Sequence, residues 1–343
     1  MGAQCKRHRI VGRCTRRRTL EVKLLHIDRQ SILIETSYRG PLRRTKFPVA
    51  MRFYSILSDL WTLTKPEVNF VIALATFTGF CLGRADQAHP FPLSLALRTI
   101  IGTVFIASGA GSLNQYVERQ FDAQMRRTAR RPLAARRLDP SLGLVFGITM
   151  AVVGGAYLAV AVNLLASALA GITLLSYLLI YTPLKRKSPV CMPIGAVSGA
   201  IPPLIGWAGA TGSLSSGAWA LFAILFLWQF PHFMAIAWLY RDDYERAGYC
   251  VLPRAERRDA YVNWMTIVPL IVLIPLSIAL SLSGNIGTVY KCGSLLAGIV
   301  FLYYGCVFAL HKANLHARRL LLTSVVYLPV LFTLDIASRY MKS

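Results

Sequence analysis

Asn114, Glu118 and Asp122 recur at intervals of four in the run Asn114-Gln115-Tyr116-Val117-Glu118-Arg119-Gln120-Phe121-Asp122, which closes a long apolar segment. On a continuing helix they form one stripe, rising about 6 Å per step and drifting about 40° each time. Arg126, Arg127, Arg130 and Arg131 follow at once. Oxygen ligands beside clustered guanidinium groups suit Mg2+ bridging protein carboxylates to a substrate diphosphate. Against lipid, each charge at the bilayer centre costs about 2.5–3.5 kcal/mol on insertion scales, so the stripe must face a polar cavity.

Two further clusters end later apolar runs. In Asp242-Asp243-Tyr244-Glu245-Arg246 the aspartates are adjacent, so on a helix only one points at a given target and the other caps or turns the chain. Arg246, four residues after Asp242, is its expected ion-pair partner. Taken alone, this cluster also reads as a solvated interfacial loop. In Tyr181-Thr182-Pro183-Leu184-Lys185-Arg186-Lys187 the proline is expected to stop the helix. The three cations then lie on the same membrane face as both acidic clusters. They suit diphosphate binding by Lys185 or Arg186, and they equally suit electrostatic anchoring of the chain.

These residues need elements to hold them, and composition says which. The chain has 343 residues, 55% of them hydrophobic, with a formal net charge of +23 and a mean hydropathy of +0.49. The apolar residues fall in nine runs long enough to cross a bilayer, at 67–84, 93–117, 141–160, 162–182, 193–210, 217–239, 262–282, 289–310 and 319–338. A lone strand cannot satisfy its backbone in lipid, so the fold class is all-α: a polytopic membrane protein of nine transmembrane helices. Basic residues crowd the N-terminal arm and the loops after spans two, four, six and eight, whereas alternate loops such as 209–213 and Ser283-Gly284-Asn285 are nearly neutral. The positive-inside rule then puts the N-terminus and these basic loops in the cytoplasm and the C-terminus outside. The charge argues for orientation and not for nucleic acid.

Spans two and six end alike and lie four helices apart. That is the pattern of two pseudo-repeated four-helix halves plus a last helix, with the acidic clusters facing each other across a central polar cavity; coincidence is the alternative. Inside the spans, His232 follows Pro231 deep in span six. It suits an iron-ligating imidazole, a common role for histidine, or a neutral histidine hydrogen-bonded to a neighbouring helix. His89, His311 and His316 read as exposed loop residues. Trp207, Trp219, Trp228 and Trp238 suit a pocket lining or, for Trp219 and Trp238 above all, the membrane interface. Pro202-Pro203 with Gly199 and Gly206 suggests a broken helix beside a cavity. Seven scattered cysteines, with no C-x-x-C pair, give neither a disulfide framework nor a zinc site, and Cys81 and Cys306 read as small core residues.

Residues 1–50 differ in character, being strongly basic with no apolar stretch of signal-peptide length. Three readings fit: a disordered basic arm on the anionic leaflet, an organellar transit peptide, or untranslated sequence upstream of a true start at Met51. In each the membrane-embedded domain is 51–343.

Together these segments resemble the UbiA-type membrane prenyltransferases over residues 55–340. The resemblance rests on Thr64-Lys65-Pro66, on Asn114 to Asp122 with Arg126-Arg127-Thr128 and Arg131-Pro132-Leu133, and on Tyr181 to Arg186. The runs Gly199 to Trp207, Trp228-Gln229-Phe230-Pro231-His232-Phe233 and Asp242 to Gly248 are similar to the branch of that superfamily that farnesylates haem. The resemblance implies transfer of a farnesyl group from farnesyl diphosphate to a vinyl group of haem B, with water added, giving haem O for terminal oxidases. It implies Mg2+ on Asn114, Glu118, Asp122 and Asp242 or Asp243, and diphosphate on Arg126, Arg127, Arg131, Tyr181, Lys185 and Arg186. It implies haem against His232 and Trp207, a bacterial cytoplasmic membrane, and haem A synthase or oxidase assembly proteins as partners beside membrane lipid. One departure matters: Glu118 stands where the family has aspartate. It keeps the charge on a longer arm, so activity is expected to persist. Three other functions fit less well: prenylation of an aromatic quinone precursor, against the acceptor-side runs; transport, against ionisable groups gathered at one membrane face; and haem holding without catalysis, against the intact diphosphate motif.

Overall fold

The structure is a computed structural model that describes residues 49–85, 90–279 and 288–340. The reading of 1–50, other than its last two residues, the loop around Ser283-Gly284-Asn285 and His89 lie outside these. The described residues form helices and the loops between them, and nine of the helical segments are long and apolar enough to cross a membrane.

An amphipathic helix α1 (Val49–Leu63) leads in. Its Ile56, Leu60 and Leu63 pack against Leu133 and Leu138, while Tyr54, Leu57 and Trp61 stay exposed. Asp59 pairs with Arg137 at 2.8 Å. Lys65 then takes a left-handed conformation, φ 54°, and Pro66 starts α2 (Pro66–Arg84), where its missing N–H costs nothing. α3 (Leu93–Asp122) has 30 residues. It is therefore about 45 Å long against an apolar layer of about 30 Å, and its last turns carry the acidic stripe out of the hydrocarbon. The stripe rides one unbroken helix, as its spacing predicts.

α4 (Pro140–Ala161) packs closely on α3 because Gly109 and Gly154 let the backbones approach, in the manner of small-residue membrane interfaces. The fourth span runs Leu164–Leu184 as α5 (Leu164–Leu175), a π-helical turn Ser176–Tyr181 and the short α6 (Thr182–Leu184). The span ends at Leu184, one residue past Pro183, as expected of a proline that offers no N–H to the turn before it.

The fifth span is broken at Ile201, as the paired prolines suggest, into α7 (Cys191–Ala200) and α8 (Pro202–Thr211). α9 (Ser216–Leu239) is the most central of the later helices, and α10 (Arg241–Arg246) follows it. α11 (Ala255–Ala279), α12 (Thr288–His311) and α13 (Asn314–Tyr340) complete the bundle. Spans seven and nine start earlier than their apolar runs, because Arg257, Arg258, Arg318 and Arg319 can keep their charged ends in the interface. His316 accordingly lies inside α13, half-buried beside His311, and not in a loop; His311 is exposed.

The α2–α8 contact is the tightest. A Cβ on Gly79 would strike the Pro203 backbone, and one on Gly206 the Thr76 carbonyl. We expect Gly206→Ala to lose about 1–3 kcal/mol by overpacking. It should melt earlier than wild type in detergent, whereas Gly171→Ala, with open space around it, should not.

Candidate functional site

The stripe arrives at the interface with its charges already answered. Asn114, Glu118 and Asp122 are 1%, 4% and 1% exposed. The Lys65 ammonium donates to Asn114 Oδ1 at 2.9 Å, the reach made possible by the left-handed turn at Lys65. Asn114 Nδ2 donates to Thr182 Oγ1 at 3.3 Å, and Thr182 is delivered by the π turn. Lys185 Nζ lies 2.9 Å from Glu118 Oε1, and Arg131 Nη1 lies 2.8 Å from Asp122 Oδ2. Burial, with Arg131 and Lys185 close by, draws the Lys65 ammonium down to about 7. Burial opposes the charge on Lys185 too, yet Tyr181 and Glu118 outweigh it and hold this ammonium well above its ordinary range.

The second acidic cluster meets the first. Asp243 is 8% exposed, accepts from the Arg127 backbone N–H at 3.3 Å and pairs with Arg246 at 3.0 Å. Arg246 also reaches the Gln124 carbonyl at 3.4 Å. Of the adjacent aspartates only this one turns inward. The Asp242 side chain is 79% exposed and lies 3.6 Å from Arg241, so the expected Asp242–Arg246 pair gives way to Asp243–Arg246. The loop is fastened to the fourth span, since the Cys250 N–H donates to the Lys185 carbonyl at 2.7 Å.

The remaining cations are less engaged. Arg186 lies over the Phe121 ring at 4.1 Å and Arg127 over Tyr240 at 5.0 Å; both are exposed, as is Arg126. The Lys185 ammonium also sits over Tyr181 at 4.7 Å.

Two buried acceptor or donor atoms here have no hydrogen-bond partner among the described residues, Asp122 Oδ1 and the Tyr249 hydroxyl. Burial and the neighbouring Glu118 charge keep the Tyr249 phenol protonated, its pKa raised. Among the described residues no three His, Cys, Asp or Glu side chains gather tightly enough to cage a metal. An all-oxygen set with an orphaned carboxylate oxygen still fits Mg2+, which binds through one or two carboxylates and takes the rest of its shell from water and substrate phosphate.

From Lys65, Tyr177 and Tyr181 a cavity of about 680 Å³ runs inward between α2, α3, α9 and α13. Its walls are mainly apolar, including Ile106, Leu174, Ile205, Leu225, Phe233 and Phe332. His232 lines it, with Nδ1 2.8 Å from Ser324 Oγ and its ring stacked 4.8 Å from Trp228. His232 is thus bonded to a neighbouring helix, and it also faces the cavity. Trp207 does not line the cavity. It packs against Gly217 and Gly83, while Trp228 takes the cavity position. Lys65, Tyr177 and Tyr249 join the candidate site beyond the residues expected from sequence. The Lys65-Pro66 pair was a signal for the first; nothing local marks the other two.

A protein-family model described as the UbiA prenyltransferase family matches residues 72–326. The protoheme IX farnesyltransferase of Solibacter usitatus is 42% identical over 289 residues, covering 82% of this chain and 99% of that protein. A UbiA homolog from Aeropyrum pernix K1 superposes with a TM-score of 0.62 at 17% identity, covering 79% of this chain and 98% of its own. A UbiA homolog from Archaeoglobus fulgidus, solved bound to GPP and Mg2+, gives 0.54 at 14%, covering 80% and 99%. At these identities the solved structures show a shared fold.

The Lys185–Glu118 pair yields a test of how the stripe is held. Lys185→Met strands a buried carboxylate and should destabilise by about 3–5 kcal/mol, while Lys185→Met with Glu118→Gln recovers most of it. Thermal melting of the two single variants and the double variant in detergent measures both effects.

Proposed function

The chain belongs to the UbiA prenyltransferase family, and from that premise we propose that it transfers the farnesyl group of farnesyl diphosphate to a vinyl group of haem B, with water added, giving haem O. The observation that carries this reading is the meeting of two chemistries at Lys65. Its ammonium bonds the buried, charge-balanced acidic cluster, and the same residue lines a mainly apolar cavity of about 680 Å³ that reaches His232. Relatives of the haem branch support the acceptor, and the Archaeoglobus homolog's GPP and Mg2+ support the donor and the metal.

At the acidic end the allylic C–O bond breaks and the diphosphate leaves with the electron pair. Lys65, Lys185 and Arg131 stand ready to donate charge-assisted hydrogen bonds as that negative charge grows, and Arg126, Arg127 and Arg186 are close enough in the chain to swing in. Asn114, Glu118, Asp122 and Asp243 would hold Mg2+, which when bound supplies Lewis-acid neutralisation of the leaving group. Tyr177 and Tyr181, whose rings stand 5.3 Å apart where the polar end meets the apolar body, offer π faces to the allylic cation. The apolar walls keep bulk water from it. Haem B lies in the inner cavity against His232 and Trp228.

The membrane is the bacterial cytoplasmic membrane, with the N-terminus and the site on the cytoplasmic side. The support is that the site's loops after spans two, four and six are the basic ones.

The test is extraction of haem from membranes carrying the chain, supplied with farnesyl diphosphate and Mg2+ and read by chromatography and mass. Hydroxylated farnesyl haem is expected. It should fall at least about 100-fold in Asp122→Ala, disappear on chelation by EDTA, and persist in Glu118→Asp. Prenylation of an added aromatic acid in place of haem would overturn the acceptor.

A further inference from the structure

Two polar side chains in the inner cavity take no part in diphosphate chemistry. Gln229 and His232 stand three residues apart on α9, hence on one face. Ser324 on α13 settles the histidine. Its hydroxyl hydrogen is committed to the Leu321 carbonyl at 2.6 Å, so towards His232 Nδ1, 2.8 Å away, Ser324 Oγ can only accept. Nδ1 therefore carries the proton, and Nε2 presents a bare lone pair. The stacked Trp228 ring fixes the imidazole plane, and Trp228 Nε1 is itself tied to the Ser324 carbonyl at 2.8 Å.

Gln229 is fixed in the same sense. Its amide nitrogen donates to the Ala196 carbonyl at 3.1 Å and to the Leu225 carbonyl at 3.0 Å, which commits both hydrogens. Oε1 keeps its acceptor capacity and lies against Gly199, where any Cβ would displace it. Beside it the fifth span breaks. Pro202 and Pro203 have no N–H, so the carbonyls of Ser198 and Gly199 in the cavity wall lose their helical donors. Acceptors thus gather in a mainly apolar wall, and among the described residues no donor meets Gln229 Oε1 or His232 Nε2. Such groups are costly to bury unless something donates to them. One water can do so, giving its two hydrogens to Gln229 Oε1 and His232 Nε2 and turning its oxygen lone pairs outwards.

We propose that this notch holds the water that hydrates the farnesylated vinyl group, and that His232 Nε2 accepts its proton. The inference rests on the haem-farnesylation reading above. The vinyl π pair forms the carbon–carbon bond to the farnesyl group as the diphosphate departs, leaving a cation on the vinyl carbon attached to the porphyrin. A lone pair of the held water closes the C–O bond there, and the released proton passes to His232. Without the held water, the same cation loses a proton from the adjacent methylene, and the product is an alkene lighter by one water.

The experiment reads that partition. The purified full chain, given haem B, farnesyl diphosphate and Mg2+, is assayed by mass for hydroxylated and alkene products. In His232→Phe the alkene-to-alcohol ratio should rise at least about tenfold, a low figure for losing a general base. Ser324→Ala, remote from the cation, should raise it less, and Ser324→Thr should restore the wild-type ratio. If His232→Phe does not fold, the Ser324 pair carries the test. An unchanged ratio in the folded variants overturns the inference. So does an unchanged ratio with a shifted Soret band of bound haem in His232→Phe, which would make the histidine an iron ligand. A wild type that forms no farnesylated haem at all overturns the functional reading itself, which separates the two failures.

Discussion

A carboxylate cannot be taken out of water unless something stands in for water, and the whole site is arranged around that cost. Glu118 and Asp122 are buried, and each has its own cation, Lys185 from the fourth span and Arg131 from the loop after the second. Lys65 adds a third positive charge from the turn before the first span. These partners come from three separate places in the chain, so the bundle must close before any of them can meet. Folding and assembly of the charged end are one event. On the proposed function the same cations would serve the diphosphate, so that substrate would enter by rearranging existing pairs instead of by burying naked charge.

Three departures from regular helix place those groups. The left-handed Lys65 points an ammonium at Asn114, the π turn in the fourth span brings Thr182 and Lys185 to the stripe, and the break at Ile201 exposes carbonyls in the inner cavity. Each costs regular hydrogen bonding or backbone comfort, and each sits where the cavity is lined. Strain of this kind persists only when the surroundings over-determine it, as the close α2–α8 packing does for the break.

How much of this could be read beforehand follows from the range of the signals. The nine spans are legible because lipid imposes a length and a composition on each separately, and the acidic stripe because its spacing is a property of one helix. The choice between Asp242 and Asp243 is not legible, since it depends on the angle at which α10 leaves α9. Residue type does not separate Trp207 from Trp228, and Trp228 lines the cavity because it lies on α9, the central helix. Tyr249 becomes a neighbour of Glu118 only through the Cys250–Lys185 backbone bond, which ties together segments far apart in sequence. His232 was legible as a residue of interest, but its tautomer depends on a serine of another helix.

The π turn at Ser176–Tyr181 has a consequence for how the sequence can drift. Such a turn holds one residue more than an α-helical turn would. If the same residues wound as ordinary helix with none removed, everything beyond the turn would rotate by about 100°. Lys185 would then leave Glu118, and Thr182 would leave Asn114, with every site side chain still present. The site can therefore be disarmed by replacements that merely tighten this turn, whereas loss of one residue within it would close the turn and leave the flanking helices facing as before.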